Sequence, residues 1–330
     1  MNHVEKIAQD ILDRLAEPFL IGDDRIYVSA SIGITLYPSD AGDVEQLLKN
    51  ADQAMYAAKN AGRNRFSYFT SSLQEMAQSR LRLLKDLRKC LEENQFRLHF
   101  QPIVELSTGR IVKAEALLRW DHPERGMISP MEFIPLAEET GLILPIGDWV
   151  FREAVKWATL WTRKYPHLMV GVNMSPLQFQ NAEKNIETWL DHIQKQGVSG
   201  RNIVIEITEG LLLDADVTVT EKLNALRDSG IKIAIDDFGT GYSALSYLKK
   251  FDIDYLKIDK SFVRNLEPGC SDMALCDAII VMAHKLGLEV IAEGVETAVQ
   301  HDLLYNAGCD YAQGYFYSPP VPAEELAALL

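Results

Sequence analysis

Seven short apolar, β-branched runs follow one another along the chain, and each delivers a polar group at or near its carboxyl end. IVKAEALLRW ends a run at Glu115, LMVGVNMSP at Asn173, and NIVIEITEG carries Glu206 and Glu209. IKIAIDDFG brings Asp236 and Asp237, DYLKIDKSF brings Lys257 and Asp259, EVIAEGVET brings Glu293 and Glu296, and DYAQGYFYSPP ends on Gln313. Segments of helical period lie between them, at 145–163, 219–229, 272–286 and 296–306. Strand and helix alternating in this way predict βα units around a parallel sheet. In a closed barrel of such units the carboxyl ends of the strands meet on one face, where an active site is built. One stray carboxylate means little; a ring of them predicts a site.

The pattern is sharpest in IKIAIDDFGTGYSAL, residues 231–245. Side chains alternate faces along a strand, so Asp236 and Asp237 share a site only where the strand ends and the chain bends. Gly239 and Gly241 permit that bend. Carboxylates held so close repel unless a cation lies between them. An isolated Asp-Asp pair would read as a solvated loop with a helix cap. The repetition across seven strand ends decides against that reading.

Glu115, Asn173, Glu206, Asp236, Asp237 and Glu293 are all hard oxygen ligands, which suit Mg²⁺ or Mn²⁺ better than Zn²⁺. Five carboxylates carry more charge than one divalent ion neutralises, so the expectation is two metals, bridged by Asp236 or Asp237. Paired divalent ions activate water and clamp the attacking and leaving oxygens of an in-line displacement at phosphorus. Lys257 is the cation that a strand end brings to this ring; its two readings are an ion pair with Asp259 and orientation of the attacking water. Arg119 has the planar fork that fits a substrate phosphate. Its alternative is a surface salt bridge to Asp121 or Glu124.

AEALLRW, GVNMSP, EITEG, DDFGTGYSAL, LKIDKSF, AEGVE and QGYFYSPP, in this order, resemble the EAL family of cyclic di-GMP phosphodiesterases from about Leu81 to Leu330. The resemblance implies a modified (β/α)₈ barrel of TIM type with one antiparallel strand, in which two Mg²⁺ or Mn²⁺ ions open cyclic di-GMP to linear pGpG. It implies Glu115, Asn173, Glu206, Asp236, Asp237 and Glu293 as metal ligands, with Asp236, Glu293 and the water-positioning Lys257 in catalysis. Gln101, Leu118, Arg119, Asp259 and Glu296 fall on the substrate side, and Glu209 steadies the DDFGTGYSAL loop. A homodimer through the barrel is implied, with residues 243–250 and 260–286 near its interface. Three positions depart from the usual pattern: Gly210 and Ala244 each stand where Ser is common, and Pro319 where a basic residue is common. No expected ligand is missing, which favours hydrolysis over the alternative, a cyclic di-GMP receptor that binds without cutting.

The first seventy residues differ. YVSASIGITLYPSD followed by VEQLLKNADQAMYAAKNAGRNRFSYF resembles the carboxyl-terminal half of a GGDEF, diguanylate cyclase-like, domain. Residues 26–36 alternate as a strand, 44–61 form an amphipathic helix, and Gly62 closes it. The GGDEF signature occurs nowhere in the sequence, so no cyclase activity is expected from this remnant. Half a domain of this size cannot bury a sufficient core unaided, so either it packs on the barrel or on a second chain or, the favoured reading, it is cut from a longer parent with further N-terminal regulatory domains. The expected organisation is a remnant over 1–70, one linker helix over 71–94 with apolar positions at Leu81, Leu84, Leu87 and Leu91, and a barrel over 95–330.

Composition narrows the partners. A net charge of −14 argues against nonspecific DNA or RNA binding, which needs a basic surface. No run of about twenty apolar residues appears, so the expectation is a cytoplasmic catalytic region, with a membrane anchor in a longer parent left open. The four cysteines, Cys90, Cys270, Cys276 and Cys309, lack metal-ligand spacing and form no disulfide framework. His122 reads as a loop-packing residue rather than a ligand.

Overall fold

A computed structural model describes residues 3–22, 24–180, 185–213, 216–239, 248 and 251–330. The chain divides into two compact units, Met1–Leu87 and Arg88–Leu330.

In the first unit the amphipathic stretch becomes helix α2 (Val44–Asn60), preceded by α1 (His3–Ala16). Asp43 caps α2 by accepting from Gln46 N–H at 2.8 Å. Gly62 follows its end with a φ of 108°, as a closing glycine should. The helix crosses between two parallel strands, β3 (Ser31–Ile34) and β4 (Arg65–Tyr68), after a short hairpin of β1 (Phe19–Ile21) and β2 (Asp24–Ile26). A side chain at Gly33 would collide with the Ala51 carbonyl, so a bare backbone lets α2 lie on β3. The single strand expected over 26–36 is instead two: only 24–26 and 31–34 find ladder partners. The expected 71–94 helix is also shorter. It runs as α3 (Ser71–Leu87), and the following turns end at Asn94, whose φ is 53°. Its buried positions are Leu83 and Leu87, while Leu81 is 68% exposed.

In the second unit eight strands close a ring: β5 (Phe96–Glu105), β6 (Arg110–His122), β8 (Met169–Asn173), β9 (Ile203–Thr208), β10 (Lys232–Phe238), β11 (Tyr255–Ile258), β12 (Glu289–Ala292) and β13 (Tyr311–Ala312). From β6 to β13 every neighbouring pair is parallel. β5 runs against both β6 and β13, and closes the barrel. β7 (Gly126–Ile128) and β14 (Val321–Pro322) extend the sheet beyond the ring. The run expected to end at Glu115 continues to His122, because β5 offers a partner as far as Trp120, opposite Phe96, and β7 pairs with the last residues. Helix α5 (Ile143–Thr162) and the helices Val217–Asp228, Ser271–Lys285 and Ala298–Asn306 begin and end within two residues of the predicted segments. Among the described residues no helix is long and apolar enough to cross a membrane. None of the four cysteines is in a disulfide, and burial pushes the thiols of Cys90, Cys276 and Cys309 up to about 12, which keeps them protonated at neutral pH.

Candidate active site

The ring of polar strand ends is a real cluster, and one ammonium stands at its centre. Lys257 on β11 is fully buried, with Nζ 2.5 Å from Glu206 Oε2, 2.7 Å from Glu293 Oε1, and 3.2 Å from both Glu115 Oε2 and Asp236 Oδ1. Its expected alternative, a pair with Asp259, is not what the structure shows. Asp259 instead caps the short helix Lys260–Val263 through Ser261 N–H at 2.9 Å, and hydrogen-bonds Asp237. Burial works against the ammonium, but Asp236, Glu115, Glu206 and Glu293 together raise its pKa well above the ordinary lysine value.

The carboxylates pay for that crowding unequally. Burial and the neighbouring Glu115 charge push Glu206 well up, with Lys257 opposing. Burial raises Glu293 to about 7, again against Lys257. For Glu115 burial is outweighed by Lys257 and by hydrogen bonds from Gln313 and Asn173, so its pKa falls. Burial and Asp236 raise Asp237. One lysine does not neutralise this ring.

Asp236 and Asp237 converge through a backbone irregularity rather than a smooth strand end. Between Ile235 and Phe238, β10 holds one residue more than β11, and Asp237 takes a left-handed φ of 54°. Such a bulge re-aims a side chain that strand alternation would send to the other face. Two triads result, Glu115–Glu206–Asp236 and Asp236–Asp237–Glu293, each with oxygens within 4.8 Å of one another. Asp236 belongs to both. Fully ionised, five carboxylates against one ammonium would carry four net negative charges, which two divalent cations would balance. Room is built in as well: a Cβ at Gly171 would collide with Glu206 Oε1, so glycine opens the cradle for that side chain. The donor set, its charge and its packing all fit hard divalent cations.

Asn173 ends β8 and donates Nδ2 to Glu115 Oε1 at 2.5 Å. Glu209 begins helix α8 (Glu209–Leu213), and its Oε2 accepts from Gly239 N–H at 3.4 Å. The loop it was expected to steady lies mostly outside the described residues, as do Gly241 and residues 243–247 and 249–250 of the expected interface. Two cavities flank the acids. One of about 270 Å³ is walled by Leu118, Arg119, Ile146, Val150 and Met174 and reaches Asn173 and Glu206. The other, about 400 Å³, is lined by Gln101, Glu115, Asp236, Glu293, Glu296 and Gln313. Leu117 borders both. Arg119 is half-buried, donates to the Leu118 carbonyl at 2.9 Å, and makes no ion pair with Asp121 or Glu124 among the described residues. His122 accepts from Glu124 and Arg125 N–H groups, which is loop packing. Sequence reasoning passed over Lys260 and Tyr315, which line the second cavity beside Glu296. Gln313 was picked out only as a strand end. Nothing in hydrophobic periodicity marks residues on connecting loops, so only their nearness to strand ends could have pointed to them.

Similarity to known proteins agrees with this geometry. The EAL domain family matches residues 84–320, and the diguanylate cyclase GGDEF domain family matches residues 1–65. The chain is 41% identical over 326 residues to the bifunctional diguanylate cyclase/cyclic di-GMP phosphodiesterase MucR of Pseudomonas aeruginosa, covering 98% of this chain and 47% of that protein. It is 39% identical over 321 residues to the cyclic di-GMP phosphodiesterase PdeR of Escherichia coli, covering 97% and 48%. The chain thus spans about half the length of these relatives. A structure of the PaMucR phosphodiesterase in complex with c-di-GMP superimposes with a TM-score of 0.71 at 40% identity, covering 74% of this chain and 99% of that one. The EAL domain of FimX from Pseudomonas aeruginosa, bound to c-di-GMP, gives 0.66 at 26% identity, covering 72% and 96%.

Proposed function

The chain belongs to the EAL domain family, and from that premise we propose that its barrel hydrolyses one phosphodiester bond of cyclic di-GMP, releasing linear pGpG, with two Mg²⁺ or Mn²⁺ ions. The observation that carries this reading is the pair of carboxylate triads sharing Asp236, with the Lys257 ammonium set between them. Glu115, Asn173, Glu206, Asp236, Asp237 and Glu293 would hold the cations. When bound, these supply the Lewis acidity that activates water at neutral pH and offsets charge on the phosphoryl oxygens. Asp236, common to both triads, ties the two positions to one another. Lys257 is aimed by four carboxylates and so is preorganised to orient water and steady developing charge, at no reorganisation cost during reaction. Leu118 and Arg119 on one side, and Gln101 and Glu296 on the other, line cavities that would take the two halves of the dinucleotide, with Asp259 behind Asp237.

The receptor reading has less support, since every acid of both triads is present. We expect residues 1–70 to make no cyclic di-GMP from GTP, because the GGDEF signature is absent from this sequence. A homodimer is expected through the Ser271–Lys285 helix, where Leu275 and Val281 leave apolar surface exposed. The decisive experiment incubates purified protein with cyclic di-GMP and Mg²⁺ or Mn²⁺ and follows pGpG chromatographically, with Ca²⁺ as the control for binding without chemistry. Stoichiometric binding with no pGpG in either metal would overturn hydrolysis in favour of reception.

A further inference from the structure

Gln313 follows β13 on the wall of the larger cavity and is 4% exposed. Its Nε2 donates to Glu115 Oε2 at 2.8 Å and to Gln101 Oε1 at 2.9 Å. Gln101 Nε2 donates in turn to the Ser318 carbonyl at 3.1 Å. These contacts fall at the seam of the barrel, where antiparallel β5 sets Gln101 directly opposite Glu115. Their direction is forced from one end. A backbone carbonyl can only accept, so Ser318 fixes Gln101 with Nε2 toward it and Oε1 toward Gln313. That oxygen can only accept, which fixes Gln313 with Nε2 toward Gln101 and Glu115. The remaining atom, Gln313 Oε1, is buried without a hydrogen-bond partner among the described residues. An orphaned acceptor costs stability and offsets part of what the two donated bonds contribute, so the amide's donor, rather than its oxygen, is what this position uses.

We propose that Gln313 is a positioning residue for Glu115, holding Oε2 through the relay Ser318–Gln101–Gln313 so that the carboxylate is set for a divalent cation before one arrives. The proposal rests on reading Glu115 as a cation ligand. Partners that orient a ligating carboxylate typically change metal affinity by about 10–100-fold when removed. Removing the amide also removes the orphaned oxygen, which offsets the donor that Gln101 Oε1 loses in exchange.

The test is Gln313→Met in the full chain, which keeps length and removes the donor. Mn²⁺ affinity is measured by electron paramagnetic resonance without substrate, beside melting temperature, kcat and KM. The expected result is Mn²⁺ binding weakened by about 10–100-fold. The melting temperature of the metal-free protein should change by no more than about 4 °C, lost kcat should return in part as Mn²⁺ is raised, and KM for cyclic di-GMP should stay within about threefold. A role in folding alone would lower the melting temperature and leave Mn²⁺ affinity untouched, which overturns the proposal. If Gln313→Met does not fold, Gln101→Met reads the same relay by freeing the Gln313 amide to turn; it should weaken Mn²⁺ binding by about 3–10-fold, a fraction of the direct effect. Unchanged affinity there also overturns it. Mn²⁺ binding is read without turnover, so an unaltered protein that binds Mn²⁺ but releases no pGpG refutes the hydrolytic function and leaves this measurement standing.

Discussion

Two lysines lie fully buried inside one barrel, two strand positions apart in depth, and they are held in opposite ways. Lys257, at the carboxyl ends of the strands, has four carboxylates within 3.2 Å of its Nζ. Lys113, toward the amino ends, has no hydrogen-bond partner for Nζ among the described residues; that atom rests 2.9 Å from the Tyr311 ring centre and 4.4 Å from that of Tyr255. Around those rings pack Ile103, Val204, Ala234 and Ile291, an apolar floor. Lys113 and Glu115 are neighbours on one face of β6, so a single strand passes from floor to ring in about 7 Å. The charged end concentrates interactions beyond what folding needs; the apolar end carries one charge that folding would do better without. Surplus electrostatics at one end of an otherwise ordinary barrel is what a catalytic site looks like.

The comparison breaks most completely if the ring works without cations. Excess chelator should abolish pGpG release, and Mn²⁺ or Mg²⁺ should restore it, because no side chain here activates water at neutral pH as a divalent ion does. Undiminished turnover in chelator would leave the four surplus negative charges without a role.

Single substitutions at the ring come next in size. Asp236→Asn removes the negative charge and one of the two oxygens of the residue common to both triads, and kcat should fall by at least ~10²–10⁴, the scale of a lost catalytic group. Lys257→Ala should slow turnover comparably while cyclic di-GMP affinity, measured in Ca²⁺, survives. Losing the ammonium also leaves five carboxylates uncompensated, so the metal-free variant should melt lower and regain stability on adding Mn²⁺. Wild-type turnover in Asp236→Asn would show that the shared carboxylate is not the centre of the site.

Much of this contrast was legible in the chain, and its limits have physical causes. The ring could be read because each strand ends in a polar residue, and period-two patterning says which end that is. The convergence of Asp236 and Asp237 could be expected, but its mechanism, a bulge with Asp237 left-handed, leaves no mark in composition. The run at Glu115 was cut short because nothing in β6 announces how far its antiparallel partner reaches. Lys257 was tied to Asp259 as an alternative because the two are close in sequence, whereas its actual partners come from β6, β9, β10 and the end of β12. Lys113 was invisible: a lysine inside an apolar run reads as an edge or a solvated position, and only ring closure turns it inward over Tyr311. The direction of the Gln313 amide depends on a backbone carbonyl reached across the seam, which no local pattern encodes.

The smallest effect concerns the floor, and it should have the opposite sign. Burial lowers the Lys113 pKa to about 7, with Glu289, Asp310 and Glu105 only partly offsetting it. Between about 7 and the ordinary lysine value of 10.5 the unfolded chain therefore binds a proton that the folded protein does not. Stability drawn from this group must rise with pH across that window, since the state that holds more protons is favoured at the lower pH. Lys113→Met keeps the bulk and removes the charge; replacing buried ionic groups with apolar ones of similar volume is often stabilising by roughly 1–4 kcal/mol. The loss of the contact with the Tyr311 ring subtracts from that gain. We expect a higher melting temperature at pH 7, an advantage that shrinks as pH approaches 10, and hydrolysis within about twofold of the unaltered protein at saturating Mn²⁺. Chemical denaturation of both proteins across this pH range measures the difference directly. A variant that is less stable at pH 7, by a margin that does not change with pH, would mean that Lys113 is held as a charged group by its aromatic rings, and the two ends of the barrel would then differ in partner rather than in purpose.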